Sequence, residues 1–247
     1  MNNFVQDVIT FVQDVLSQLL ILLPLMLILC VPIFFLVRYY QDHYASLVEN
    51  YWWGLFHKKL EVGEFELAEK EPWFWQIIAE TISKDGAKPK QLNAMRRALR
   101  KLSERDVMIF YCIFDLVMAR SYTWKLWGAA YVAMGGCGDD SFDYFRTWLV
   151  SRGKSFFETI LGDPDSLAIL LPAEFRKQLQ FEGLGYVALE VWAEKTGKGS
   201  GEMLRYLNTG AHLQSQPSGE PFSEEPSQLA ECYPNLWARY GKRTRRK

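Results

Sequence analysis

Asp139, Asp140 and Asp143 form the pattern in this sequence that comes closest to a reaction centre. Their Asp-Asp-x-x-Asp spacing brings carboxylates together on one helical turn, where they can share a Mg²⁺ ion that holds a diphosphate. The pattern occurs once and directly follows a glycine turn, so capping of a helix by Asp139 or Asp140 explains it without a metal. We therefore predict no metal site and no catalytic residue, and keep a metal-dependent enzyme as one alternative.

A second pattern suits the binding of an aromatic ligand. Trp124 and Trp127 lie one helical turn apart, and Arg146 offers a charge for a phosphate, although such tryptophans are more often core residues. A basic cluster on the helix predicted at 89–102 adds cations, although such a cluster is more often a solvated face. We predict a nucleotide or oligonucleotide ligand. Its candidate contacts are Arg96, Arg97, Arg100, Trp124, Trp127 and Arg146.

Histidines and cysteines give no sign of a metal centre, a disulfide or a cofactor. The three histidines have no paired spacing, and the four cysteines are too scattered for a metal-ligand or disulfide framework. Cys137 lies in the glycine turn with no histidine near it in sequence, so we interpret it as an unreactive turn residue. The formal net charge of -1 argues against a protein that coats nucleic acid.

The tryptophans and aspartates lie in a helix, a glycine turn and a second helix that together span residues 124–153. The first helix has an aromatic face and, at 128–130, a face of glycine and alanine that a neighbouring backbone can approach closely. Glycines within 135–138 permit a sharp reversal of the chain. Asp143 and Arg146 are three residues apart in the second helix, so we expect them to pair.

The run LWGAAYVAMGGCGDDSFDYFRTWLVSRG in this region resembles the signature of an uncharacterised, mostly bacterial family, domain of unknown function 4240. Phe74-Trp75, the stretch 161–167 and the late sequence Tyr-Pro-Asn-Leu-Trp-Ala-Arg-Tyr are also similar to that family. The resemblance covers residues 72–200 and the late motif, and it implies a shared fold unit without supplying chemistry. Gly138 stands where the family pattern leads us to expect a serine, which argues against a hydroxyl nucleophile there.

The sequence predicts a mainly α-helical protein. No alternating strand pattern of useful length occurs, whereas helical periodicity recurs from Trp73 onwards and Ser103 is placed to cap a very apolar helix at 104–120. An aromatic stretch at 233–240 is expected to dock back onto the helical domain. We divide the chain into an amphipathic and transmembrane segment (1–40), an aromatic juxtamembrane segment with an acidic connector (41–72), a helical cytoplasmic domain (73–200) and a mobile tail with a basic end (201–247).

Residues 18–37 are predicted to cross a membrane once. They form a stretch of about twenty residues without a charge, the length that a helix needs to cross the hydrocarbon core. Lysine and arginine are absent before this segment, while Arg38, Lys58 and Lys59 follow it, so the positive-inside rule places the C-terminal bulk in the cytoplasm. We expect a single-pass protein of the bacterial inner (cytoplasmic) membrane, with its N-terminus outside.

A short repeat, FVQDVIT followed by FVQDVLS, precedes this segment at 4–17. It places apolar groups on one side of a helix and a polar stripe on another. One interpretation is an amphipathic helix on the outer surface or a small coiled coil; the other is that assembled copies turn the stripe toward a pore. The pore-lining candidates are Asn3, Asp7, Thr10, Asp14 and Ser17.

Three functions stay open from the sequence. The first is a homo-oligomeric membrane effector, a pore or channel gated by its helical sensor domain, an architecture similar to bacterial anti-phage effectors that sense nucleotide-type messengers. The second is a membrane-tethered adaptor that binds a partner protein. The third is a tethered enzyme that uses the three aspartates. We favour the first, which is not an enzyme, needs no cofactor and has the lipid bilayer and further copies of itself as partners.

Overall fold

A computed structural model describes residue 13 and residues 63–83, 86–171, 178–207 and 216–241 of the protein. The chain divides into two compact units, Met1–Lys58 and Lys59–Lys247, and the helices described here belong to the second. The predicted membrane-spanning segment, the polar stripe before it and the aromatic juxtamembrane segment lie outside the described residues. Within the described ranges, no helix combines the length and the apolar character needed to cross a bilayer.

The described part of the chain is mainly α-helical, as the sequence predicts, and it contains no β-strand. An isolated parallel bridge joins Thr123 to Ser218. Short 3-10 turns lie at Pro164–Ser166 and Ser200–Glu202. The α-helices, in chain order, are α1 (Glu64–Thr81), α2 (Lys88–Arg100), α3 (Glu104–Arg120), α4 (Trp124–Met134), α5 (Asp139–Ser151), α6 (Lys154–Gly162), α7 (Leu167–Leu170), α8 (Glu182–Thr196), α9 (Met203–Tyr206), α10 (Pro226–Cys232) and α11 (Pro234–Tyr240).

Helix α1 begins at Glu64, earlier than the helical start that the sequence predicts near Trp73. Several glutamates interpreted as a solvated connector therefore lie on a helix, and Glu64 and Glu66 occupy its first turn, where carboxylates offset the positive end of the helix dipole. Ion pairs hold this helix to α3, and their partners are 36 to 49 residues apart, which is why local periodicity does not reveal them. The pairs are Glu66–Arg105 at 2.7 Å, Lys70–Asp106 at 3.0 Å and Glu71–Arg120 at 2.9 Å.

Helix α3 lies at the centre of the core. Its predicted cap is confirmed, since the Ser103 hydroxyl accepts a hydrogen bond from the backbone N–H of Asp106 at 3.1 Å. Val107, Ile109 and Ile113 are at most 1% exposed, and α3 packs against α1, α5 and α8. Full burial of such a side chain stabilises a fold by roughly 1.5–3 kcal/mol. Helix α3 therefore supports α5, one of the helices that carry the candidate site.

Helix α8 ends at Thr196, as the sequence predicts for a long helix within 173–196 that ends at Gly197. Gly197 follows its last residue in a left-handed conformation with φ of 70°, which glycine adopts without the strain that a side chain would cause. Because α8 packs against α2, α3 and α5, it joins the first helices of the domain to those that carry the aromatic pattern.

The C-terminal helices α10 and α11 pack onto the rest of the domain. Tyr233 is 3% exposed and Leu236 is fully buried, so the expectation that residues 233–240 dock back onto the domain is met. Helix α11 packs against α4, α7 and α10. Part of the segment predicted to be a mobile tail is therefore helical and packed.

Candidate functional site at an aromatic ladder

Helices α4 and α5 are joined by the reversal that the glycines predict. Gly135 and Gly136 have φ of 77° and 125°, values that residues with side chains rarely adopt. The N-cap of α5 is Gly138, so the prediction that Asp139 or Asp140 caps this helix is wrong. Because the last extended residue is Gly138, both aspartates fall inside the first helical turn, where they offset the helix dipole.

Aromatic rings from both helices form a continuous ladder. Trp124 and Trp127 stack with 5.2 Å between ring centroids, and Trp127 stacks on Phe142 at 4.8 Å with an interplanar angle of 13°. Phe142 leads to Phe145 at 6.4 Å, and Phe145 leads to Trp148 at 5.7 Å. Such ring pairs each add roughly 0.5–1.5 kcal/mol beyond the area they bury. The ladder therefore fixes α4 against α5.

Arg146 lies beside this ladder and is 8% exposed. Its guanidinium carbon is 4.6 Å from the Tyr122 ring centroid and 5.2 Å from the Phe142 centroid, within the range of cation–π contacts. One terminal nitrogen donates to the carbonyl of Met118 at 2.7 Å, and the other donates to Asp143, which confirms the predicted pair. The Arg146 Nε is buried and has no hydrogen-bond partner among the described residues.

The structure thus brings Trp124, Trp127 and Arg146 into one cluster, but it uses two of them for packing. Trp127 already stacks on two rings, and its indole N–H donates to the carbonyl of Cys137 at 2.8 Å. The terminal nitrogens of Arg146 are engaged by Met118 and Asp143. Trp124 forms the half-buried end of the ladder. Ligand binding by these three residues stays a prediction.

Sequence reasoning missed Tyr122 and Phe142 as neighbours of the arginine. Phe142 and Arg146 are four residues apart on α5, a spacing at which helical side chains meet, so this contact had a readable signal. Tyr122 lies in the short connection between α3 and α4, and no periodicity places its ring against Arg146.

The basic cluster on α2 is largely paired with acidic side chains on α8. Arg96 contacts Glu190 at 2.8 Å, and Arg100 contacts both carboxylate oxygens of Glu194 at 2.7 and 2.8 Å. The hydrogen bond from Arg100 holds the pKa of Glu194 below its usual value. Arg97 is exposed and makes no ion pair within the described ranges. Two of the three predicted phosphate contacts therefore join α2 to α8.

The side chains of the Asp-Asp-x-x-Asp pattern are exposed. Asp143 pairs with Arg146, while Asp139 and Asp140 occupy the first turn of α5. In the described part of the chain, no group of three or more His, Cys, Asp or Glu side chains is arranged to hold a metal ion. The aspartates here form a solvated helix start and a contact to the buried arginine.

Burial distinguishes the three cysteines that the structure describes. Cys112 and Cys137 are partly buried, whereas Cys232 is exposed. Burial raises the pKa of Cys137 to about 12 and the pKa of Cys112 to about 11. Because the thiolate is the reactive form, burial suppresses the nucleophilicity of both thiols at neutral pH.

We expect iodoacetamide to alkylate Cys232 about tenfold faster than Cys137 in the folded protein at mildly alkaline pH, because burial lowers the thiolate fraction of Cys137 and keeps the reagent from its sulfur. Peptide mapping by mass spectrometry over a time course measures both rates in one sample. In protein unfolded by urea the two rates should converge. Equal rates in the folded protein would contradict the unreactive role of Cys137.

The segment before α10 lies across the start of α4. Backbone hydrogen bonds join Ser218 to Tyr122 at 2.9 Å and to Trp124 at 3.0 Å. Phe222 then meets the edge of the Trp124 ring with 6.2 Å between centroids. The outer end of the ladder is therefore in contact with the C-terminal segment.

The glycine-alanine face of α4 is approached closely by a side chain, that of Tyr233, where the sequence predicts a neighbouring backbone. Its hydroxyl donates to the carbonyl of Lys125 at 2.9 Å. Its ring lies so near to Gly128 that a Cβ added there would be 2.3 Å from the hydroxyl oxygen. Burial raises the pKa of Tyr233 to about 12, so the hydroxyl keeps its proton and remains a donor at neutral pH.

Asp165 connects the stretch 161–167 to the late sequence motif. Its carboxylate is buried and accepts hydrogen bonds from the backbone N–H of Asn235 at 3.0 Å, from the Asn235 side chain at 2.8 Å and from the backbone N–H of Leu236 at 2.9 Å. The carboxylate thus satisfies N–H groups at the start of α11 that no residue within the helix can reach. Two stretches that resemble one family are in direct contact here.

Comparison with known proteins identifies a family. A family model described as protein of unknown function (DUF4240) matches residues 70–194 of the 247-residue chain. This range contains the aromatic ladder, Arg146 and Asp165. No curated protein and no solved structure matches the chain. The family model spans half of the chain, and the protein therefore belongs to the DUF4240 family of proteins of unknown function.

Proposed function

We propose that the protein is a homo-oligomeric membrane effector whose helical domain senses a nucleotide-type ligand and controls a pore formed by its N-terminal segments. The observation that carries this proposal is the uncharged stretch 18–37 preceded by a polar stripe on the helix predicted at 4–17. A lone anchor has no need of such a stripe. Helices that assemble around an axis can turn it inward and keep apolar groups toward lipid. The proposed role is not catalytic.

Charge and architecture support the rest of the proposal. Arg38, Lys58 and Lys59 follow the uncharged stretch, whereas no lysine or arginine precedes it, so the helical domain is assigned to the cytoplasmic side of a bacterial inner membrane. A half-exposed tryptophan at the end of an aromatic ladder, Trp124, suits contact with a nucleobase. A role in anti-phage defence rests on the similarity of this architecture to known effectors.

The test is ion flux through liposomes that carry the purified full chain, with and without nucleoside 5′-monophosphates. We expect a cation conductance in the wild type and a changed cation preference in Asp7→Asn/Asp14→Asn, because neutral side chains no longer attract cations to the pore. Asp139→Asn/Asp140→Asn is the matched control, since it removes the same charge from an exposed helix start in the domain. This control should conduct as the wild type does.

Either of two results would contradict the proposal that the N-terminal segments form a pore. One is the absence of flux in every variant together with a monomeric mass in detergent. The other is an equal change in cation preference for the Asp139→Asn/Asp140→Asn control, since that would disconnect selectivity from the N-terminal stripe.

One observation favours a second function, that of a membrane-tethered adaptor for a partner protein. Helix α7 exposes two adjacent apolar side chains, Ile169 at 74% and Leu170 at 43%. Apolar side chains that collect on a surface are typical of contacts with other proteins. For an adaptor, Asp7 and Asp14 are replaceable without loss of function, and no variant conducts ions.

A further inference from the structure

A cavity of about 210 Å³ lies where the start of α2 meets the end of α5 and the start of α6, and none of the six predicted ligand contacts lines it. Aromatic side chains form its wall: Trp148 and Phe156 meet edge-on with 5.7 Å between centroids, and Phe181 lines the same space. Trp148 and Phe181 are 6% and 3% exposed, so the wall is held by the core. Trp148 is also the last ring of the ladder described above.

The charged side chains that line the cavity are all cationic among the described residues. They are Lys88 at the start of α2 and Arg152 directly after α5. Lys88 Nζ donates to the carbonyl of Gln180 at 2.5 Å and lies 5.8 Å from the Phe181 ring centroid, so its position is fixed from two sides. An ammonium group has three donors, and this bond uses one of them. Arg152 is exposed and makes no ion pair within the described ranges.

The environment of Lys88 favours an anionic ligand. Burial lowers the pKa of Lys88, because its ammonium group has lost part of its hydration without gaining a carboxylate among the described lining residues. An anion in the cavity would compensate for that loss through charge-assisted hydrogen bonds.

Gln91 supplies a buried hydrogen-bond acceptor on the same wall. The side chain is 5% exposed, and its amide nitrogen donates to the carbonyl of Ser151 at 2.9 Å. This bond fixes which end of the amide carries the oxygen, since a carbonyl accepts only from the NH₂ group. Gln91 lines the cavity beside the aromatic rings, and its side-chain carbonyl is the kind of acceptor that an N–H group on a planar base requires.

We propose that this cavity binds one nucleoside monophosphate unit, with the base against Trp148 and Phe156 within reach of Gln91 and the phosphate between Lys88 and Arg152. The volume is below the 300–1,000 Å³ typical of pockets for drug-sized ligands, so it holds one base and no second nucleotide. A free mononucleotide and the end of an oligonucleotide present the same chemistry to such a site. The inference rests on the proposed sensor function for its consequence, and it places the ligand in this cavity instead of against Trp124.

The experiment is isothermal titration calorimetry of the purified full chain with each of the four common nucleoside 5′-monophosphates. Inorganic phosphate and adenosine, the two halves of such a ligand, are titrated separately. We expect at least one mononucleotide to bind and both halves to bind more weakly. Lys88→Gln and Arg152→Gln should each lower the affinity for the mononucleotide by about tenfold or more, because each removes a charge-assisted hydrogen bond to the phosphate. Arg205→Gln is the matched control, since Arg205 is an exposed arginine on α9 that does not line the cavity, and this variant should bind as the wild type does. Arg152 is exposed, so Arg152→Gln tests the site without a risk to folding.

Competition by a short single-stranded oligonucleotide with a terminal phosphate then distinguishes the two sources of the ligand. Displacement of the mononucleotide identifies the end of an oligonucleotide as a second occupant of the same site. The proposal is overturned if no mononucleotide binds at about 1 mM, which corresponds to only about 4 kcal/mol of binding free energy. Binding of phosphate as tight as that of the mononucleotide, or equal losses in Arg205→Gln and Arg152→Gln, would also overturn it. If a mononucleotide binds but does not change ion flux, the proposed binding site in the cavity is supported and only the proposed gating of the pore is contradicted.

Discussion

Replacement of Arg146 by alanine is expected to lower the free energy of unfolding by about 2–4 kcal/mol, the loss typical of a charged hydrogen bond removed together with buried cation–π contacts. The guanidinium is 8% exposed and bonds to the Met118 carbonyl, and it contacts the rings of Tyr122 and Phe142. Alanine removes the donor, the cation and most of the volume at once. Urea denaturation of the purified full chain, followed by tryptophan fluorescence, measures the loss.

Two further variants show which contacts of Arg146 account for the loss of stability. The Asp143 side chain is 57% exposed, so Asp143→Ala should cost less than about 1 kcal/mol, as for other solvent-exposed ion pairs. Arg146→Lys keeps the charge but loses the planar group that reaches the carbonyl and both rings, so its loss should be intermediate. If Arg146→Ala proves as mild as Asp143→Ala, the arginine is not a structural centre of the ladder and its guanidinium is available for a ligand.

The features that the sequence predicts correctly are encoded within a few residues. The Ser103 cap, the left-handed glycine at Gly197 and the Asp143–Arg146 pair each depend on positions at most four apart. Helical geometry then determines which groups meet, whatever the rest of the fold does. The reversal after α4 is predictable for the same reason, because residues with side chains rarely adopt the φ of Gly135 and Gly136.

The roles of the basic residues depend on partners far away in sequence. Arg96 and Arg100 lie on a cationic helix face that, taken alone, fits solvation, phosphate binding or ion pairing equally well. Their partners Glu190 and Glu194 are 94 residues later, and only the packing of α2 against α8 brings them together. The same holds for Arg146, whose acceptor on Met118 is a backbone carbonyl that carries no sequence signal.

The cavity that we propose as a ligand site could not be predicted from the sequence, for a related reason. Lys88, Gln91, Trp148 and Arg152 come from two helices that are far apart in the chain and share no motif. Each is unremarkable within its own helix: a lysine in a first turn, a glutamine and a tryptophan on buried faces, and an arginine after a helix end. Their common environment arises from tertiary packing, which a single sequence does not display.

Replacement of Gly128 by alanine is expected to destabilise the protein by about 1–3 kcal/mol, the usual cost of overpacking a core. The added Cβ would lie 2.3 Å from the Tyr233 hydroxyl oxygen and 2.8 Å from the adjoining ring carbon. The ring cannot swing away without loss, because it is 3% exposed and its hydroxyl donates to the Lys125 carbonyl. The effect opposes the gain of roughly 1 kcal/mol that alanine otherwise brings to a helix interior. Urea denaturation measures the change, and proteolysis of α10 and α11 in native protein reports whether they detach.

Gly162→Ala is the matched control for this glycine, since Gly162 is an exposed residue within α6 and nothing lies within 4 Å of an added Cβ. Its stability should stay within about 0.5 kcal/mol of the wild type, as for most surface substitutions. The double variant Gly128→Ala/Tyr233→Ala lacks the ring and hydroxyl that the new Cβ would meet. Its loss of stability should therefore differ from the sum of the two single-variant losses by more than about 0.5 kcal/mol. Additive losses would mean that Tyr233 is not what limits the size of residue 128. Destabilisation confined to Gly128→Ala, with α10 and α11 released to protease, would show that one buried tyrosine against one glycine holds the C-terminal helices on the domain.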